Sequence, residues 1–223
     1  MNKILIIILL ILIFLKINQL FMITYKENYN FISENRIENL KKYKNIINEL
    51  SNLESDSFEN TNSLVYYFNL DFLKSNLDQE VFKTLNDIVE KSPKKGNYFI
   101  ANFLEVKPCN NTYAPNLHTD CTICGIMDCP EDLITPEIVG VLYLEVPKCI
   151  EGGELVVLGN INQIRKYKPE ANKLIYFNGN FIHGVKSYNL DKCPDKTTRF
   201  SLVIEIYNLD KDIIKTLPII KIN

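Results

Sequence analysis

From Asn97 to Asn208 the chain is written in short strand-like runs broken by turn residues, and this rhythm restricts the fold more than any other feature. Strands are expected near residues 97–106, 114–120, 138–146, 153–159, 161–167, 173–178, 181–188 and 198–208, because β-branched and aromatic residues cluster there. Gly152-Gly153, Asn178-Gly179 and the Pro194-Asp195 region supply the turns. Many short strands at near-regular spacing point to a barrel or jelly roll rather than a parallel α/β sheet.

The preceding region, residues 24–96, reads as a helical support. Ile37, Leu40, Tyr43, Ile46, Ile47 and Leu50 recur at three and four, with polar residues between them. A polar linker is expected over 51–63. A second helix follows from about Asp71 to Lys91, with Leu73, Leu77, Val81, Leu85, Ile88 and Val89 turned inward, and Ser92-Pro93-Lys94-Lys95-Gly96 stops it. The last residues, 210–223, form a tail with no assigned element.

Residues 1–23 stand apart. Ile4 to Leu15 is unbroken Ile, Leu and Phe, with Lys3 before it and Lys16 after it. This suits the apolar centre of a signal peptide. Apolar character resumes at Leu20-Phe21-Met22-Ile23, so with a snorkelling Lys16 the segment just reaches spanning length. No small-x-small cleavage site follows, which favours an uncleaved signal-anchor over a removed peptide. A buried helix or strand is the other reading. The expectation is a single-pass, membrane-associated protein of the endoplasmic reticulum or secretory pathway. Its orientation is open, because the flanking lysines balance.

Of the 223 residues 46% are hydrophobic and 23% charged, so one well-buried domain is expected and wholesale disorder is excluded. The net charge of −2 removes the basic stripe that nucleic-acid binding needs, and no nucleic-acid partner is expected. Six cysteines are too few to build the scaffold. Cys121, Cys124 and Cys129 have spacing that suits disulfides or free thiols, or a zinc site completed by Cys109; Cys149 and Cys193 are left to pair separately. Asn110-Asn111-Thr112 is a glycosylation acceptor if the chain is lumenal.

The chain has two histidines, and both fall in strand-like contexts. In His118-Thr119-Asp120 the first and third residues share a strand face. His183 lies in another such run, Phe181-Ile182-His183-Gly184-Val185. Two imidazoles and one carboxylate on one face of an octahedral metal leave three positions open, the donor set of non-haem Fe(II) oxygenases. Further on, Arg199 and Ser201 share a face in the same way. A guanidinium beside a hydroxyl suits a bidentate grip on a carboxylate.

With these residues in place, the chain from about Asn97 to Asn208 resembles the catalytic domain of the 2-oxoglutarate/Fe(II)-dependent dioxygenases, and most closely the prolyl 4-hydroxylase-like branch. The resemblance rests on His118-Thr119-Asp120, Glu151-Gly152-Gly153-Glu154-Leu155, Phe177-Asn178-Gly179 leading to His183-Gly184-Val185, and Arg199-Phe200-Ser201. It implies an α+β, mainly β fold: a double-stranded β-helix (jelly-roll) over 97–209 with N-terminal supporting helices. It implies Fe(II) held by His118, Asp120 and His183. It places 2-oxoglutarate, as co-substrate, on Arg199 and Ser201, with Tyr143 and more weakly Tyr113 near the far carboxylate. Ascorbate would serve as reductant. Two features depart from the branch: prolyl 4-hydroxylases usually carry lysine at the anchor, and residues 187–198 lengthen the gap between His183 and Arg199.

The expected activity is hydroxylation of a polypeptide side chain, foremost peptidyl proline, using O2 and releasing succinate and CO2. Peptidyl lysine, a small molecule, and a non-catalytic β-barrel binding module are the other readings. The loop from Cys121 to Pro136, beside the metal, is expected to shape substrate access.

Overall fold

The computed structural model describes residues 26–28, 61–109, 112–113, 115–127, 134–159, 164–190 and 198–219. Its strands are β1 (Lys26–Asn28), β2 (Thr61–Asn69), β3 (Tyr98–Val106), β4 (Ile138–Glu145), β5 (Glu151–Gly152), β6 (Leu155–Leu158), β7 (Ile164–Tyr167), β8 (Leu174–Asn178), β9 (Ile182–Val185), β10 (Tyr188–Asn189) and β11 (Arg199–Tyr207). Its helices are α1 (Leu70–Ser75), α2 (Glu80–Lys91), α3 (Thr122–Ile126) and α4 (Lys211–Thr216).

One six-stranded antiparallel sheet runs in the order β1-β8-β4-β11-β3-β2. Opposite it stand a three-stranded sheet, β7-β6-β9, and the short pair β10-β5. Most neighbours are non-consecutive strands, as in a jelly roll; β2–β3 and β6–β7 are the exceptions. Strand alternation sorts β11 onto two faces. Phe200, Leu202, Ile204 and Ile206 join the layer under the helices, while Arg199, Ser201, Val203 and Glu205 point between the sheets.

Helices α1 and α2 cover the outer face of the large sheet. In α2, Phe82, Leu85, Ile88 and Val89 form one stripe and are buried against Phe68, Phe99, Leu142, Tyr176 and Ile204. Each such burial contributes roughly 1.5–3 kcal/mol. The Tyr176 hydroxyl donates to the Ile88 carbonyl at 2.5 Å, which ties β8 to α2. Gly140 on β4 leaves room for that ring: a Cβ there would lie 2.9 Å from it. Asn69 caps α1 by accepting from the Phe72 amide at 2.8 Å. Between the sheets, Val139, Val141, Ile175 and Phe177 meet Leu155, Val157, Tyr167 and Val185.

The jelly-roll expectation holds, with local corrections. The region expected to be helical contributes two strands to the large sheet, β1 and β2. The expected linker therefore ends before Thr61, where β2 begins. Every second residue of β2 is needed on the cavity side, and its aromatic content (Tyr66, Tyr67, Phe68) suits a sheet better than a helix. The single helix expected over 71–91 is two, divided at 76–79, and Leu77 in that break is only half-buried. Residues 115–121 form no regular strand and pair through one isolated bridge, His118 with His183, so the expected strand 114–120 is reduced to that bridge. The tail carries a short helix, α4. The expected first helix and the apolar N-terminal segment lie outside the described residues. Among the described residues no helix is long and apolar enough to cross a membrane.

Candidate metal and keto-acid site

The two histidines are brought together by backbone pairing. The His118 amide donates to the His183 carbonyl and the His183 amide to the His118 carbonyl, each at 2.8 Å. A hydrogen-bonded antiparallel pair puts both side chains on one face. Gly184 makes the approach possible: a Cβ there would lie 3.0 Å from the Asn116 carbonyl oxygen, inside the segment that carries His118.

Asp120, two residues on, closes the group. Its Oδ1 lies 3.4 Å from His118 Nε2 and its Oδ2 lies 3.4 Å from His183 Nε2. One donor atom from each residue falls within 4.8 Å of the others. Both rings are fixed from behind, with Nδ1 of His118 2.6 Å from the Asn116 carbonyl and Nδ1 of His183 3.0 Å from the Phe181 carbonyl. A carbonyl accepts only, so each Nδ1 carries the proton and each Nε2 lone pair points inward. This is the outer support that metal-binding histidines usually have.

The electrostatics agree. Burial opposes charge on His118, but the Asp120 hydrogen bond, the Asn116 carbonyl and the Asp120 charge together raise its pKa. Burial favours neutral Asp120, yet His183 and then His118 hold its carboxyl below the usual range. Burial dominates at His183 and lowers its pKa despite Asp120. Asp120 is thus held ionised between the two imidazoles, a donor set that fits a divalent metal such as Fe(II).

The triad opens into a cavity of about 500 Å³ between the sheets. Arg199 lines it and is 1% exposed. Its Nη1 donates to the Gly153 carbonyl at 2.7 Å, and its guanidinium lies 4.9 Å from the centre of the Tyr143 ring. Among the described residues no carboxylate pairs with it, and its Nε and the Ser201 Oγ are buried without hydrogen-bond partners. Burial, the largest influence, lowers the Arg199 pKa, while Tyr143 and Tyr188 oppose this. A buried guanidinium beside a hydroxyl is a donor set that fits a carboxylate. Tyr143 stands beside Arg199, and Tyr113 bridges through its backbone to Lys186; neither ring is part of the cavity lining.

No protein-family model matches the sequence, and no curated protein does. Solved structures do match. A Pseudomonas putida prolyl-4-hydroxylase aligns over 85% of this chain and 95% of its own, at 14% identity and a TM-score of 0.55. A Trichoplax adhaerens prolyl hydroxylase, in complex with a hypoxia inducible factor oxygen degradation domain peptide fragment, aligns over 90% of each chain at 13% identity and 0.53. A prolyl 4-hydroxylase from Phytophthora capsici aligns over 89% of this chain and 68% of its own at 13% identity and 0.51. The shared feature is the fold. This chain has the jelly-roll fold of those structures.

The cysteines settle one alternative. Cys124 and Cys149 are disulfide-bonded, whereas Cys109 and Cys121 are free. A disulfide sulfur offers no thiolate to zinc, so the zinc reading of Cys109, Cys121, Cys124 and Cys129 is withdrawn. Cys129, Cys193, Asn110 and Asn111 lie outside the described residues.

One lining residue was missed by the sequence reading. Glu205 is 6% exposed and faces the cavity from β11. Thr122 Oγ1 donates to its Oε1 at 2.7 Å, and the Tyr207 hydroxyl donates to its Oε2. The signal was present: inward positions on β11 alternate from Arg199, and Glu205 is the charged residue six further on. Burial first, then Asp120, pushes its pKa up to about 8, against the two hydrogen bonds. The folded metal-free protein therefore holds this proton where the unfolded chain has lost it. The resulting stability is complete below about pH 4.5 and is lost as pH rises toward about 8. Glu205→Gln removes the titration, so its melting temperature relative to wild type is expected to climb between pH 5 and 8.5. Parallel melting curves across that range would show that Glu205 titrates normally.

Proposed function

We propose that this protein is an Fe(II)- and 2-oxoglutarate-dependent dioxygenase that hydroxylates a polypeptide side chain, foremost peptidyl proline. The observation that carries the reading is one cavity holding both the His118–Asp120–His183 donor set and the buried Arg199, which no acid of the described residues pairs. His118 Nε2, an Asp120 oxygen and His183 Nε2 would hold Fe(II), which when bound with 2-oxoglutarate supplies the oxidising chemistry and yields succinate and CO2. The chain's own residues do the rest. Arg199 and Ser201 grip the far carboxylate of the keto acid and fix its reach toward the metal. The Asn116 and Phe181 carbonyls lock the imidazoles. The apolar wall of Val141, Leu155, Val185 and Val203 keeps water from the reacting end.

The peptidyl-proline reading is supported by the fold shared with prolyl hydroxylases, one of them in complex with a peptide fragment. Ascorbate as reductant follows from the same resemblance. The apolar run from Ile4 to Leu15 is the ground for placing the enzyme at a membrane of the secretory pathway. The test adds Fe(II) and then 2-oxoglutarate to the protein without oxygen and looks for the visible absorption of a bound keto acid. Proline-containing peptides are then screened with oxygen for a mass gain of one oxygen atom and stoichiometric succinate. A band with no peptide oxidised would move the substrate to a small molecule. No band in folded, metal-loaded protein would favour a non-catalytic binding module.

A further inference from the structure

The cavity has two polar ends, and the proposed reading uses only one. Arg199 and Glu205 sit on the same face of β11, six residues apart, so their Cα atoms are separated by roughly 20 Å at ~3.4 Å per residue. A five-carbon diacid held at Arg199 and reaching the triad covers only part of that length. Glu205 lies beside Asp120, whose charge it feels, and is tied to that segment through Thr122. It faces whatever shares the cavity with the co-substrate.

That end is built from acceptors. Each Glu205 oxygen accepts one hydrogen bond, from Thr122 or from Tyr207, and each retains a lone pair. Asn102, on β3, also lines the cavity, and its Oδ1 is buried without a partner. In the β3–β11 register Asn102 stands opposite Val203, two places from Glu205, which makes the pair diagonal neighbours about 7–8 Å apart. Among the described residues no lysine lines the cavity, and the one arginine that does is at the far end. Asp120, Tyr67, Tyr207 and Thr122 act on the Glu205 carboxyl, and none of them is a cation. Among the described residues Arg199 has no acid partner and Glu205 no base partner; Glu205 holds its proton without a cation, and an ammonium or guanidinium brought beside it would favour the ionised, all-acceptor form.

Resting on the dioxygenase reading, we propose that the Glu205–Asn102 end is a subsite for a cationic side chain of the polypeptide substrate, an ammonium or guanidinium that donates to both residues. The co-substrate completes the charge at one end of the cavity and the substrate completes it at the other. The cation comes either from the residue that is oxidised, a lysine, or from a basic residue next to an oxidised proline.

The test uses the full chain in detergent with four capped peptides: proline beside lysine, proline beside norleucine, lysine without proline, and norleucine without proline. Norleucine keeps the aliphatic length and drops the charge. Binding is read by calorimetry on metal-loaded, oxygen-free protein with 2-oxoglutarate, and oxidation by mass. A preference for lysine over norleucine of at least tenfold in binding is expected, and Glu205→Gln should erase most of it. Oxidised proline in the first peptide assigns the cation to a neighbour; oxidised lysine in the third assigns it to the target. Equal binding of the lysine and norleucine peptides by wild type overturns the subsite, whether or not the variant folds. So does a preference that survives intact in folded Glu205→Gln. Failure of the dioxygenase reading looks different: 2-oxoglutarate then neither binds nor yields succinate with any peptide.

Discussion

Asp120→Ala is expected to abolish retention of Fe(II) and with it all 2-oxoglutarate turnover. Asp120 is the one carboxylate in the donor set and contacts both imidazoles at 3.4 Å. Removing an outer partner of a metal ligand already costs about 10–100-fold in affinity, and loss of a ligand itself should exceed that. The variant also relieves a buried negative charge, so its fold should survive, and a melting curve of the metal-free protein checks this. Equilibrium dialysis against Fe(II) or a redox-silent stand-in such as Zn(II) reads the affinity directly. A variant that keeps both metal and turnover would mean that the three side chains meet for another reason. His183→Ala should follow the same course, because His183 is buried and its Nε2 faces Asp120.

Arg199→Met should separate function from stability. The guanidinium is buried, hydrogen-bonded to one carbonyl and unpaired by any acid among the described residues. An uncompensated buried charge is costly, and an apolar side chain of similar length often restores or raises stability. Without 2-oxoglutarate the variant is therefore expected to melt at or above the wild-type temperature. Its use of 2-oxoglutarate should collapse. Stripping the partner from a buried carboxylate costs about 2–5 kcal/mol, or roughly 30-fold to several thousandfold in apparent affinity. Arg199→Lys should lie between, keeping the charge and losing the bidentate fork. An unchanged KM for 2-oxoglutarate in Arg199→Met would remove the anchor role. A sharp fall in melting temperature would recast Arg199 as a structural residue.

The two residues at the ends of β11 illustrate how the site is constructed. Alternation puts Arg199, Ser201, Val203 and Glu205 on one face, while the residues between them are apolar and face the helices. One strand thus supplies the buried Arg199, part of the cavity wall and the acid at the opposite end. Gly152 and Gly153, at φ 91° and 74°, form the turn expected from the sequence, and Gly153 also offers the carbonyl that orients Arg199. A turn glycine was legible; its hydrogen bond to a residue 46 positions away was not.

The sequence by itself determined the fold class and the chemistry-bearing residues. Period-two patterning and turn residues imply a jelly roll, and two histidines with an Asp at strand spacing leave few alternatives for a metal. These signals are local, carried by residue types and by neighbours one to a few positions apart. What depended on distant segments needed the tertiary structure. Thr61–Asn69 is a strand because β3 offers an edge and the cavity needs its inner wall, not because its own pattern demands it. The inward Nε2 atoms are set by the Asn116 and Phe181 carbonyls, and the Arg199 environment by what is absent around it. Whether Glu205 is a surface charge or a buried acid facing a substrate depends on which strands and loops close over it. Burial is a property of the assembled sheets, and no spacing along the chain records it.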